Sequence, residues 1–159
     1  MLVLYAGYPA ALEGMRVLGA VWPGVARATR EATHGAWHAR GERLCRRVYG
    51  PAYAKLVPAV AALHPDLAAW MLEQGYGRVL SRPGLSGRAR ERITVAVLAA
   101  CGWRRQLVSH LLGAARLGVP RAHVRSAFMV GVERAGAAAR REARAAWREV
   151  FPRSRSAQA

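Results

Sequence analysis

Residues 64–132 decide how the rest of the chain is interpreted, and they read HPDLAAWMLEQGYGRVLSRPGLSGRARERITVAVLAACGWRRQLVSHLLGAARLGVPRAHVRSAFMVGV. The acid Glu91 stands near the start of a nearly all-apolar segment within this stretch. The imidazole of His110 follows in the next segment, after a break at Gly102. An acid and an imidazole that face each other across an apolar hairpin can form a proton-transfer site. The rest of the chain has the pattern of helical packing.

The spacing of apolar residues predicts an all-α fold. No stretch alternates with the period of two that is typical of a half-buried strand. We predict a central antiparallel helix hairpin, with one helix at about 88–101 and the other at about 103–117. The first of these helices is polar at its start and apolar on all sides afterwards, which is typical of a helix in the middle of a bundle. Gly118 is predicted to be the residue that directly follows the C-terminal end of the second helix, a position that favours glycine.

The length of 159 residues favours one domain with a substantial core. We predict a single helical domain over 1–151, with an N-terminal helix in 1–24, a core at 64–132 and an alanine- and arginine-rich helix at 133–151. Tyr8-Pro9 opens the N-terminal helix, because proline is tolerated in a first turn. A helical stretch at 25–49 contains Gly35 and Gly41, which predict a division into two helices. The tail at 152–159 is predicted to be disordered.

The net charge of +16 is the most unusual bulk property, and nearly all of it comes from arginine. A strong positive field raises the encounter rate with anions, including nucleic acids, anionic lipids and carboxylated metabolites. The alternative is that the arginines form solvated helix faces. Arginine in place of lysine, together with many alanines and no asparagine, indicates a GC-rich genome and a thermophilic habitat.

The two cysteines, Cys45 and Cys101, lie far apart and in no metal-binding spacing. They favour a reducing cytoplasm over a disulfide framework. The N-terminal sequence has no basic region of the kind that begins a signal peptide, and the charge-free run at 93–103 is too short to span a bilayer. We therefore expect a soluble cytoplasmic protein with no membrane partner.

The predicted hairpin brings Glu91 and His110 to nearly the same level. Glu91 precedes Gly102 by eleven residues and His110 follows it by eight, so their levels differ by about 4–5 Å at about 1.5 Å of rise per residue. Trp103 and Gln106 share a helix face with His110, and Trp103 would form an apolar wall. A carboxylate bonded to an imidazole fixes the tautomer of the ring and raises its basicity. The alternative is a satisfied polar contact that ties two helices together.

A metal site is not expected. His34 and His38 are four residues apart, a spacing that can bind zinc, but the sequence offers no third ligand nearby. The five tryptophans are typical of core or interface anchors rather than of a cofactor site.

The text from Tyr76 to Pro120 resembles the carboxymuconolactone decarboxylase family, which shares the alkylhydroperoxidase D-like fold. The RPGLS loop, the acid-bearing helix and the QLxxHLxGAxxxGV signature occur in the family's order. The resemblance implies a small all-α bundle that assembles as a trimer or hexamer. It also implies a circular permutation, because the Y-x-G-x-P-like element found near the family's C-terminus stands here at residues 5–9. The N-terminal helix would then pack where the family's last helix lies, or it would be exchanged with a neighbouring subunit.

The peroxidase branch of the family uses a Cys-x-x-Cys pair, with a histidine four residues after the second cysteine and a glutamate on the preceding helix. Glu91 and His110 match the acid and the histidine, but Trp103 and Gln106 stand at the cysteine positions. Neither residue can supply a thiolate, so the resemblance argues against thiol peroxidase activity.

The decarboxylase branch has no cysteine pair and is more similar at QLxxH. It implies a cofactor-free lyase that removes CO₂ from a small anionic substrate, a carboxylated lactone. His110 would then transfer the proton, Glu91 would orient it, and Arg82 or, second, Arg105 would bind the carboxylate. Two alternatives stay open: a non-catalytic family member, and a basic helical oligomer that binds a polyanion. Nucleic acid is disfavoured, because the sequence shows neither a helix-turn-helix signature nor a basic motif interleaved with aromatic residues.

Overall fold

A computed structural model of the chain describes residues 1–24 and 34–152, and within these residues every regular element is helical. The helices are α1 (Leu2–Val21), α2 (His34–Tyr49), α3 (Tyr53–Ala61), α4 (Pro65–Trp70), α5 (Gly87–Cys101), α6 (Arg104–Arg116), α7 (Arg121–Arg134) and α8 (Ala137–Val150). A 3₁₀ turn at Gly50–Ala52 precedes α3, and a π-helical segment at Met71–Leu80 follows α4. The predicted all-α fold is confirmed for the described part of the chain. Residues 25–33 of the second predicted helical stretch and residues 153–159 of the predicted tail lie outside it.

The chain divides into two compact units, at residues 1–87 and 88–159. The sequence prediction of one helical domain over 1–151 stays a prediction, and the two units are considered in turn. Within the described residues, no helix combines the length and the apolar character needed to cross a bilayer.

The first unit contains α1 to α4 and the π-helical segment. Gly7 interrupts the regular geometry of α1 with a φ of 79° and a ψ of 176°, so the regular part of this helix begins beside Pro9, as the sequence predicts. His64 caps α4, because its Nδ1 accepts a hydrogen bond from the Asp66 amide.

Gly41 of α2 serves packing rather than a helix break. A Cβ at Gly41 would lie 1.9 Å from the carbonyl oxygen of Leu72, so only glycine allows α2 to approach the π-helical segment this closely. Gly77 in that segment faces the Trp37 carbonyl in the same way. The predicted division at Gly41 is therefore wrong: α2 is continuous from His34 to Tyr49.

The second unit consists of α5 to α8, and its first two helices form the predicted hairpin. The chain reverses through Gly102, whose φ of 72° is favourable only for glycine, and through Trp103, which is not helical. The second helix therefore begins at Arg104, one residue later than predicted. Gly118 ends α6 as predicted: its amide bonds to the Ala115 carbonyl, and the next amide bonds to the Ala114 carbonyl.

Two differences from the sequence predictions concern α5 and α8. Helix α5 is buried on one side only, because Arg92 and Ile93 are exposed, so it is not surrounded by protein on all sides. Helix α8 begins at Ala137 rather than at residue 133, because Ala135 and Gly136 adopt extended ψ angles of 139° and 166° that end α7 first.

Glycines also set the contacts within the second unit. A Cβ at Gly131 of α7 would lie 2.2 Å from the carbonyl oxygen of Ala96 on α5. A Cβ at Gly102 would lie 2.5 Å from Cα of Ala139 on α8. Backbone therefore packs directly against backbone at both places, and these two contacts fix α7 and α8 against the hairpin that carries the candidate site.

Candidate functional site

Helices α5 and α6 bring together the two side chains that the sequence singles out. Nδ1 of His110 lies 2.9 Å from Oε2 of Glu91, within hydrogen-bond distance. Each residue is only 3% exposed. The two-residue reversal at Gly102 and Trp103 produces this placement, because it leaves the second turn of α5 level with the middle of α6.

The hydrogen bond determines which ring nitrogen can accept a proton. When the Glu91 carboxylate is ionised it can only accept hydrogen bonds, and Nδ1 of His110 then carries the proton in the pair. The lone pair of the neutral imidazole then lies on Nε2, and Nε2 is the atom that can act as a base.

Two further buried polar residues, Arg90 and Thr94, accompany the pair and were not found from the sequence. Among the described residues, the buried polar or charged side chains are Arg90, Glu91, Thr94 and His110, and all four belong to the hairpin. The available signal was the position of Arg90 and Thr94, which share one face of α5 at i and i+4. Desolvating ionic groups is costly without partners, so this concentration of polarity marks the hairpin as the chemically distinctive part of the interior.

The other predicted members of the α6 constellation lie at the surface. Trp103 is 56% exposed and precedes the first turn of α6, and Gln106 is exposed as well. Trp103 lies outside α6, so the helix face predicted for Trp103, Gln106 and His110 includes only Gln106 and His110, at i and i+4.

The two predicted carboxylate-binding arginines lie in different units. Arg82 is exposed in the first unit, in the loop after the π-helical segment. Arg105 is exposed on α6 and lines a groove with Arg104, Val108, Ser109 and Glu149. This groove includes neither Glu91 nor His110. The roles of both arginines stay predictions.

The two cysteines are protonated thiols rather than activated thiolates. Burial raises the pKa of the Cys45 thiol to about 12, and it also raises the pKa of the Cys101 thiol. Both cysteines are free. Because a thiolate is the reactive form, neither environment favours nucleophilic attack at neutral pH.

Across residues 1–24 and 34–152, no group of three histidine, cysteine, aspartate or glutamate side chains is arranged to hold a metal ion. Nδ1 of His38 lies 3.6 Å from Oε1 of Glu73, and both side chains are about half exposed. The side chain of His34, its predicted partner at i−4, lies outside the described residues.

The comparisons with known proteins agree with this geometry. A family model described as the carboxymuconolactone decarboxylase family matches residues 65–149, from the start of α4 to the last turn of α8. The match therefore contains both Glu91 and His110, and it extends past the predicted core at 64–132 to include α8. The comparison with curated proteins returns no match. The matched region covers more than half of the sequence, and the chain belongs to the carboxymuconolactone decarboxylase family.

Proposed function

We propose that this chain is a carboxymuconolactone decarboxylase-like lyase that transfers protons without a cofactor. Its substrate would be a small carboxylated lactone. The observation that carries the proposal is the contact of 2.9 Å between His110 Nδ1 and Glu91 Oε2, inside a family-matched helix hairpin. A carboxylate in this position orients the imidazole, as proton-transfer chemistry requires.

The proposed reaction breaks the bond between the lactone ring and the substrate carboxylate. CO₂ leaves, and the bonding electrons remain in a dienolate conjugated with the lactone carbonyl. The protonated imidazole of His110 then delivers its Nε2 proton to carbon, and Glu91 orients the ring for the transfer. The ring recovers a proton from solvent, so the net change is uptake of one proton and release of one CO₂.

An arginine side chain is the proposed carboxylate-binding group. Guanidinium binds carboxylate through two parallel hydrogen bonds, which would hold the substrate in one orientation. Arg82 is the first candidate, because it follows the π-helical segment in the RPGLS loop, and Arg105 is the second. The net charge of +16 also favours the encounter with an anionic substrate.

The alternative family activity, thiol peroxidase, lacks support from the thiols. Trp103 and Gln106 stand where the peroxidase pair would be, and burial raises the pKa of both Cys45 and Cys101. A Cys45→Ala/Cys101→Ala variant should therefore keep any decarboxylase activity. Thiol-dependent consumption of an alkyl hydroperoxide should be absent from the wild type.

The decisive experiment measures CO₂ release from carboxymuconolactone and related carboxylated lactones by the wild type and three variants. His110→Gln should lower kcat/KM by about 10²–10⁴-fold, the usual contribution of a positioned acid or base. Glu91→Gln should lower kcat/KM less, because the amide keeps the hydrogen-bond geometry but loses the charge. His123→Gln, an exposed histidine on α7, is the matched control and should be unchanged.

Circular dichroism must show that the helices of each variant are intact. Full activity in a folded His110→Gln protein would remove His110 from the mechanism. The absence of CO₂ release from every carboxylated lactone would remove the decarboxylase proposal and favour the non-catalytic reading of the Glu91–His110 pair.

We also infer that the protein assembles into a trimer or hexamer. The support comes from α1, which contains no buried residue and leaves Leu12, Val21 and Trp22 largely exposed. Exposed apolar patches of this kind are typical of interaction sites. Light scattering should give three or six times the chain mass of 17.3 kDa. Leu12→Glu should lower that mass, whereas Glu13→Gln on the same helix should not.

A further inference from the structure

A second feature of the 88–159 unit lies on α7 and α8, and we call it the arginine groove. Its volume is about 680 Å³. Arg121 and Arg125 from the first turns of α7 line it together with Arg144 and Arg148 from the second half of α8. Within each pair the arginines stand four residues apart, so each helix presents two guanidinium groups on one face. The sequence predictions did not single out either pair.

Three aromatic rings form the apolar part of the groove. The ring centroids of Phe128 and Trp147 lie 4.7 Å apart, and those of Trp147 and Phe151 lie 4.5 Å apart. The Arg121 guanidinium lies 4.8 Å from the centre of the Phe151 ring. This cation–π contact and the ring stack hold the apolar surface and the charge at fixed positions.

The four guanidinium groups have no acidic partner among the described residues. The Glu149 carboxylate, which follows Arg148 in sequence, instead accepts from Arg104 at 3.1 Å. Some exposed arginines elsewhere in the described chain do pair with a nearby acid, as Arg46 does with Glu42 at 2.7 Å. Like charges at i and i+4 destabilise a helix, so this arrangement carries a small cost that a bound anion would remove.

We propose that the arginine groove binds an amphiphilic organic anion: an aromatic or acyl body that carries carboxylate or phosphate groups. The aromatic floor would contact the body, and the arginines would bind the anionic groups through paired hydrogen bonds. The volume of about 680 Å³ lies in the range of small-molecule sites. The groove includes neither Glu91 nor His110, so this proposal does not depend on the proposed decarboxylase activity.

The groove suits a compact ligand better than a nucleic acid strand. Phe128 is only 4% exposed, and the ring of Phe151 is covered on one side by Arg121. Single-strand binding grooves instead offer open ring faces on which successive bases stack. A nucleic acid is therefore treated as an outcome that the experiment must separate from the proposal.

The experiment titrates the full chain with 2,6-naphthalenedicarboxylate and with 1-naphthyl phosphate by isothermal titration calorimetry. These two probes share the aromatic body and separate carboxylate from phosphate as the preferred group. Inorganic phosphate and an oligothymidylate strand serve as competitors that lack the apolar body or extend beyond the groove. We expect saturable binding of at least one naphthyl anion at one site per chain, and at least tenfold weaker binding of inorganic phosphate.

Variants locate the binding. Arg125→Gln and Arg148→Gln should each lower the affinity for the naphthyl anion by at least tenfold. Phe151→Ala should also lower this affinity, while the weak binding of inorganic phosphate stays unchanged. Arg141→Gln is the matched control, because Arg141 is exposed on α8 but does not line the groove. Thermal unfolding of each variant verifies the fold.

Three results would overturn the proposal. The first is no saturable binding of either naphthyl anion. The second is an affinity for the oligothymidylate that equals or exceeds that for the naphthyl anions and falls in the same variants, since this would make the groove a polyanion surface. The third is a change in the oligomeric mass of Arg125→Gln or Arg148→Gln in solution without a change in anion binding. This result would show that the groove is a contact between copies of the chain.

Discussion

The Glu91–His110 pair and the arginine groove belong to the same four-helix unit, but the ionisable groups are buried and in contact in the first and exposed in the second. The pair buries an acid and an imidazole in contact at 2.9 Å, with each residue 3% exposed. The groove instead exposes four guanidinium groups that have no carboxylate partner among the described residues. Because water solvates the arginines, they need no internal partner, whereas the buried acid and imidazole contact each other directly. The first arrangement therefore suits proton transfer and the second suits the recruitment of an anion.

The largest expected effect comes from breaking the buried pair. Glu91→Ala removes the acceptor of the buried His110 ring, and loss of one member of a buried pair typically costs about 3–5 kcal/mol of folding free energy. Urea unfolding followed by circular dichroism measures this loss. Arg125→Ala in the groove is the control, and its exposed position predicts a change within about 0.5 kcal/mol.

The double variant Glu91→Ala/His110→Ala separates the contact from the loss of two side chains. It should be less destabilised than the sum of the single variants, because it leaves neither partner buried alone. Strict additivity would show that the two side chains contribute independently, and it would remove the basis for the comparison between pair and groove.

The pair could be predicted from the sequence because it depends on regular helix geometry. A break at Gly102 and a constant rise per residue are enough to bring Glu91 level with His110. The groove could not be predicted in this way, since it depends on how α7 and α8 pack. The spacing of Arg121 and Arg125 gives a face on one helix, but the direction of that face depends on the contact of Gly131 with Ala96.

Two further differences between prediction and structure concern where helices are interrupted. Trp103 was expected to form a wall beside His110, but its backbone angles of φ −75° and ψ 76° place it outside α6, where its ring is exposed. Gly41 was taken as a weak point in α2, although it allows close packing against Leu72. The role of Gly41 depends on a tertiary contact that the local sequence does not encode.

A smaller loss of folding free energy should come from Gly131, which packs the helix of the arginine groove against the helix of Glu91. Gly131 lies three residues after Phe128 of the groove floor, and a Cβ there would lie 2.2 Å from the Ala96 carbonyl oxygen on the helix of Glu91. Gly131→Ala therefore has to push α7 away from α5, and overpacking of this kind typically costs about 1–3 kcal/mol. Because α7 carries Arg121 and Arg125, the same variant should also lower the affinity of the groove for the naphthyl anion.

Gly19→Ala in α1 is the matched control for Gly131→Ala. No atom lies within 4 Å of a Cβ at Gly19, so the substitution meets no obstacle. Alanine is the better helix former by about 1 kcal/mol, and the variant should be neutral or slightly stabilised. If Gly131→Ala were as stable as Gly19→Ala in urea unfolding, α7 would not be held against α5 as closely as the structure indicates.

The smallest expected effect tests whether burial, rather than distance, distinguishes the Glu91–His110 pair. Arg104 and Glu149 join α6 to α8 at 3.1 Å, close to the 2.9 Å of the buried pair, but their side chains are 48% and 49% exposed against 4% for each buried partner. Water and salt screen the exposed pair, so a double-mutant cycle with Arg104→Ala and Glu149→Ala should give a coupling of about 0.2–1 kcal/mol at low salt. At about 1 M salt, where the screening length falls to about 3 Å, that coupling should nearly vanish, whereas the coupling between Glu91 and His110 should persist. Equal salt sensitivity of the two couplings would mean that solvent reaches the buried pair, and burial would then no longer account for the difference between the two regions.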